Sequence, residues 1–103
     1  MLPQVENIRE EAYRAFNARN FRLAIQEAVK AITVSSCLAW PYYLTGVSLN
    51  ALGKPREALA YLERYLSLDT ARFSQNRQRA SRMIRQLQDE AHTPVRKQAK
   101  SNE

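Results

Sequence analysis

The chain has 103 residues and a net charge of +6, a length that suits one domain and leaves no room for a second large core. Two glycines, four prolines and plentiful Ala, Leu, Arg, Glu and Gln favour helix over sheet. No apolar run approaches the ~20 residues that span a bilayer, and the single cysteine, Cys37, excludes an internal disulfide and leaves a structural zinc site without ligands.

The first predicted helix covers residues 4–18. Val5, Ile8, Ala12, Ala15 and Phe16 form its apolar stripe, and Pro3 suits its first turn, where no intrahelical N–H is lost. Glu6, Glu10 and Glu11 lie toward the positive end of its dipole. Ala18-Arg19-Asn20 is a turn, with Asn20 as the N-cap of a second helix over 21–34. That helix carries Ala24, Ile25, Ala28, Ala31 and Ile32 on one face. Ser35 or Ser36 is placed to cap a third helix over 40–52, with Pro41 in its first turn and Gly46 as its one glycine. Gly53-Lys54-Pro55 is the next turn. A fourth helix over 56–68 comes after it, with Ala58, Leu59, Leu62, Tyr65 and Leu66 on one face. Gly46 and Ala58 are the small residues of this pair, and small side chains let two helix axes approach closely. A fifth element over 73–91 has Phe73, Ala80, Met83, Ile84 and Leu87 at helical spacing and stops near His92-Thr93-Pro94. Residues 92–103 are polar and basic without periodicity, the composition of a disordered tail.

The second and fourth helices repeat each other at a displacement of 34 residues. Ala24 falls on Ala58, Ile25 on Leu59, Ile32 on Leu66, and Ala12 falls on Gly46. Size and polarity recur although few identities do. A helix–turn–helix unit at this period, with Tyr42, Gly46, Leu49, Gly53, Glu57, Ala58, Leu62, Leu68 and Asp69 in one copy and Ala12, Phe21, Ala24, Ala31 and Ile32 in the other, resembles the tetratricopeptide repeat (TPR) family. The chain departs from that pattern where Tyr42 and Ile8 replace the first-helix tryptophan, where Tyr65 replaces a small residue, and where Thr70 replaces the closing proline.

The resemblance implies an all-α, right-handed superhelical stack over residues 1–91. Repeat one would be 5–38, repeat two 39–72, and 73–91 a capping helix with one apolar face on the last hairpin. In the family, first helices of successive repeats line a concave groove that takes a peptide or helix of a partner protein. By register the groove side chains would be Arg9, Tyr13, Phe16 and Asn17, then Trp40, Tyr43, Val47 and Asn50, then Arg77, Ser81, Ile84 and Arg85. Tyr, Trp and Arg dominate binding hot spots. The competing assignment is that Trp40 and Tyr43 pack on the neighbouring first helix. Tyr42 takes the structural tryptophan's place in the core. A co-chaperone-like subset of the family clamps a C-terminal carboxylate; its matching positions here are Arg9, Tyr13, Leu44, Ser74 and Gln78, of which only Arg9 has the required charge. The clamp is therefore mostly absent.

Catalysis is not expected. There is one histidine and one cysteine, with no phosphate-cradling glycine loop and no metal-ligand spacing, so neither enzyme activity nor a cofactor is implied. The expected role is a non-enzymatic adaptor or scaffold in the cytoplasm, with the nucleus as the other reducing compartment; the opening residues do not read as a secretory signal. Residues 70–100 hold eight basic and two acidic residues, and the rest of the chain balances. Arg72, Arg79, Arg82 and Arg85 lie on one polar face of the last helix. This face is either a solvated surface or an electrostatic site for an acidic protein segment, ahead of nucleic acid, which wants interleaved exposed aromatics. The first hairpin has no preceding helix to cover it, so a weak homodimer stands beside a monomer.

Overall fold

The computed structural model describes residues 3–68 and 74–92, without the side chains of 3–5 and 90–92. It is all-α: α1 (Pro3–Asn17), α2 (Phe21–Val34), α3 (Trp40–Ala51), α4 (Pro55–Leu68) and α5 (Gln75–His92). Each helix packs on the one before it, and α1 also touches α3. The segment after α4, with Asp69, Thr70, Arg72 and Phe73, and the tail from Thr93 onward lie outside the described residues. Arg72's place on the basic face and the expected disorder of the tail lie outside them too.

The 34-residue period is written into the backbone. The first and last residues of α4 fall 34 positions after those of α2. The turns repeat bond for bond. The Asn20 N–H donates to the Ala15 carbonyl (2.8 Å) and the Lys54 N–H to the Leu49 carbonyl (2.9 Å); the Arg19 N–H donates to Phe16 (3.0 Å) and the Gly53 N–H to Asn50 (3.1 Å). This is the bonding that closes a helix through one left-handed residue. Gly53 supplies it at φ +80°, and Arg19 supplies it at φ +62°. A side chain in that region is strained by about 1 kcal/mol or more, so Arg19→Gly is expected to stabilise the domain by up to ~1 kcal/mol and Gly53→Ala to destabilise it by a similar amount. Urea unfolding midpoints of the two variants check both signs.

Side chains cap α2 and α5. The Asn20 Oδ1 accepts the Leu23 N–H at 3.4 Å, as its sequence position predicts, and the Ser74 Oγ accepts the Arg77 N–H at 3.0 Å. Neither expected serine caps α3. Its N-cap is Ala39, with no side-chain bond. Ser35 closes α2 by donating its N–H to Ala31, and the Ser36 carbonyl accepts the Tyr42 hydroxyl at 3.0 Å. That bond satisfies the polar end of a ring the sequence assigns to the core, and Tyr42 is buried there.

The core has two parts of different make-up. Around the first hairpin it is small: Ala12, Ala15, Ala24 and Ala28, closed by Leu44 reaching over from α3. Around the second it is large: Tyr43, Leu49, Leu62 and Tyr65, with Ala80, Ile84 and Leu87 from α5. Gly46 is where α3 and α4 cross. A Cβ there would stand 2.7 Å from Leu62 Cγ and Cδ2 and 3.3 Å from the Ala58 carbonyl, so the close approach expected of Gly46 and Ala58 is real. At the same repeat position Ala12 and Ala80 are both fully buried.

The outer face of α1 carries charge where that of α3 is buried. Leu44, Thr45 and Ser48 bury α3 against the first hairpin. Thirty-four residues earlier stand Glu10, Glu11 and Arg14, all exposed, with the Arg14 guanidinium donating to Glu11 at 2.7 Å. Burying those charges would carry a large desolvation penalty. Charge at these positions therefore disfavours a further helix on this face of α1. The same substitution logic, polar residues where a repeat would present apolar ones, leaves α5 with one buried face and a solvated remainder.

Candidate functional site

α1, α3 and α5 share one side of the stack, and a cavity of about 400 Å³ opens between them. α1 supplies Tyr13, Phe16 and Asn17; α3 supplies Tyr43 and Val47; α5 supplies Asn76, Arg79 and Met83. A second cavity of about 340 Å³ continues from it toward the α1–α2 turn. The two share Phe16, Asn17 and Val47, and the second adds Arg19, Phe21 and Ala51. Together they make a groove with an apolar floor.

Aromatic contacts fix the floor. Phe16 meets Phe21 edge-on at 5.8 Å, which ties the last turn of α1 to the first of α2. Tyr43 packs on Tyr65 at 5.1 Å, so the bulky residue of the second repeat supports the groove from behind. Tyr13 sits against Trp40 at 5.9 Å, and the Arg9 guanidinium lies 5.8 Å from the Tyr13 ring centre. Burial pushes the Tyr13 phenol above its ordinary value of 10.0; the Arg9 cation pulls it back and Tyr43 adds a smaller upward push. Folding therefore favours the neutral phenol. Its contribution to stability is complete below pH ~10 and is lost as pH rises through the folded value. Tyr13→Phe is expected to flatten part of the alkaline fall in stability, read as the difference between the two proteins' unfolding midpoints above pH ~10.

Five of the sequence-assigned groove residues come together: Tyr13, Phe16, Asn17, Tyr43 and Val47 all line it. Arg9 reaches it only through Tyr13. Trp40 is half-buried against the small first core rather than lining the cavity, which is the competing assignment. Asn50 is exposed, outside the cavity, while its neighbour in the helical turn, Val47, faces in. Tyr43 is 6% exposed: it shows an edge to the groove but is a core residue by packing.

On α5 the assignment needs correction. Arg77, Ser81, Ile84 and Arg85 do not line the groove; Asn76, Arg79 and Met83 do. Arg77 turns the other way, and its guanidinium donates to the Leu66 carbonyl at 3.0 Å, satisfying the last turn of α4. Ile84 is in the core, and Ser81 and Arg85 face solvent. α5 is set by its own apolar stripe of Ala80, Ile84 and Leu87, and that stripe rolls Arg79 onto the groove rim. Of the predicted basic face, Arg79, Arg82 and Arg85 are all exposed, and Arg79 is the one that also borders the groove.

Among the described residues no group of three or more His, Cys, Asp or Glu side chains could hold a metal ion. Leu44, one of the carboxylate-clamp positions, is fully buried, so it offers nothing to a ligand. No helix among the described residues is long and apolar enough to cross a membrane. No protein-family model matches the chain, and no curated protein or solved structure matches it.

Proposed function

We infer that the chain is a TPR-like adaptor: two helical hairpins and a capping helix in a right-handed superhelix, which hold a peptide or helix of a partner protein in the groove across α1, α3 and α5. The observation that carries this reading is the pair of joined cavities on that one side, floored by Phe16, Val47 and Met83 and edged by the carboxamides of Asn17 and Asn76. Apolar floor gives affinity, and a carboxamide can both donate to and accept from a peptide backbone. The backbone period of 34 residues supports the family resemblance. The role is binding without catalysis, in the cytoplasm or nucleus, by a monomer or weak homodimer.

A second reading has one observation in its favour. Arg82 and Arg85 are exposed side by side on α5, away from the core, where an acidic segment or a nucleic acid could bind electrostatically.

Panning a random peptide display library on the protein separates the two. Val47→Asp puts a charge on the floor at a half-buried position. Selected peptides are expected to lose this variant while its unfolding midpoint stays near that of the native protein. They are expected to keep Arg82→Glu/Arg85→Glu. The reverse pattern, retention on Val47→Asp and loss on the double variant, would transfer the function to the outer face of α5.

A further inference from the structure

Among the described residues the groove's charge is of one sign. Arg79 stands on its α5 rim, and Arg19 stands at its far end, in the α1–α2 turn. Among the described residues no aspartate or glutamate lines either cavity. Among the described residues, Glu11 and Glu27 are committed elsewhere, to Arg14 and Lys30, and neither Arg79 nor Arg19 has an ion-pair partner. Arg9 adds a third cation behind Tyr13. Asn17 and Asn76 make no side-chain hydrogen bond to another described residue, so their carboxamides are free for a ligand. Arginines at both ends of an apolar floor describe the ligand by complement.

We propose that the groove selects an extended acidic segment of a partner protein, with carboxylates on either side of one large apolar side chain. The apolar side chain sits on Phe16, Val47 and Met83, and the flanking carboxylates meet Arg79 at one end and Arg19 at the other. Asn17, common to both cavities, holds the backbone between them. This rests on the groove being the binding surface, and adds what it recognises there. The exposed strain at Arg19 fits the assignment: its backbone is held left-handed by the turn, which fixes where the guanidinium starts from.

The test uses the full chain and a random peptide display library. Enriched sequences are expected to carry Asp or Glu on both sides of Leu, Phe or another large apolar residue. The best enriched peptide is then made alongside its counterpart with Gln for Glu and Asn for Asp. The neutral peptide is expected to bind about tenfold more weakly or worse, and the gap to close as salt is raised. Arg79→Gln is expected to weaken the acidic peptide and not the neutral one. So is Arg19→Asn, which removes the charge while keeping a residue that tolerates a positive φ. If enriched peptides lack acids, or the neutral peptide binds equally, while Val47→Asp still abolishes binding, acid selectivity is wrong and the groove stands. If no enriched peptide depends on Val47, the groove reading fails with it. Displacement of the acidic peptide by oligouridylate at matched charge would overturn the proposal in favour of nucleic acid. Binding that falls as the protein's own concentration rises would overturn it in favour of a second copy in the groove.

Discussion

Leu62→Ala is expected to destabilise the domain by about 2–5 kcal/mol, and adding Gly46→Ala to it is expected to restore part of the loss. Leu62 is fully buried and is the side chain against which the Gly46 backbone rests. Its truncation removes transfer free energy and leaves a hole at the crossing of α3 and α4. Gly46→Ala alone drives a Cβ to 2.7 Å from Leu62; overpacking of that kind costs about 1–3 kcal/mol, set against a gain of ~1 kcal/mol from replacing a mid-helix glycine. In the Leu62→Ala background the clash is gone. What remains is the propensity gain, some filling of the hole, and a 3.3 Å approach to the Ala58 carbonyl that a shift of a few tenths of an ångström relieves. The same substitution should therefore be neutral or harmful in the native protein and helpful in the variant. Urea unfolding of the four proteins gives the coupling directly. Additive effects would mean that the helices do not cross as closely as Gly46 indicates.

Tyr43→Ala is expected to be the other large loss, about 3 kcal/mol or more, although the position also borders the groove. The ring is buried, and its neighbour Tyr65 at 5.1 Å loses its partner with it. Removing Tyr43 opens the core under the groove, so any loss of binding by Tyr43→Ala is a loss of fold. Tyr43→Phe keeps the ring and should stay within ~0.5–1 kcal/mol of the native protein. Thermal melts of the two variants, followed by helical circular dichroism, are expected to separate widely. Equal melting temperatures would show that Tyr43 is a surface residue after all.

Most of the fold was readable because packing reads size and polarity. The offsets of Ala24, Ile25, Ala28, Ala31 and Ile32 fixed α2 to the residue, and the displaced copy fixed α4 to within one. Gly46 and Ala58 announced the crossing because nothing larger fits there. Arg19 gave no such signal: arginine does not favour a left-handed backbone, and only the hydrogen bonds shared with the Gly53 turn reveal that it adopts one. The site was half legible. Tyr13, Phe16, Asn17, Tyr43 and Val47 came from the repeat register. Asn76, Arg79 and Met83 did not, because the register of α1 and α3 was extended to α5, whose buried stripe is set differently. The information was in α5 itself: with Ala80, Ile84 and Leu87 facing the core, the adjacent strip of the helix carries Asn76, Arg79 and Met83. Burial of Tyr43 could not be told from exposure by type, since an aromatic ring suits a core and a hot spot equally.

The most direct test of the groove is nuclear magnetic resonance mapping of a display-selected peptide on the isotope-labelled chain. The largest shift changes are expected at Phe16, Asn17, Val47, Arg79 and Met83, with little change at Arg82 and Arg85. Changes confined to Arg82, Arg85 and the outer face of α5, with Val47 and Phe16 unmoved, would contradict it.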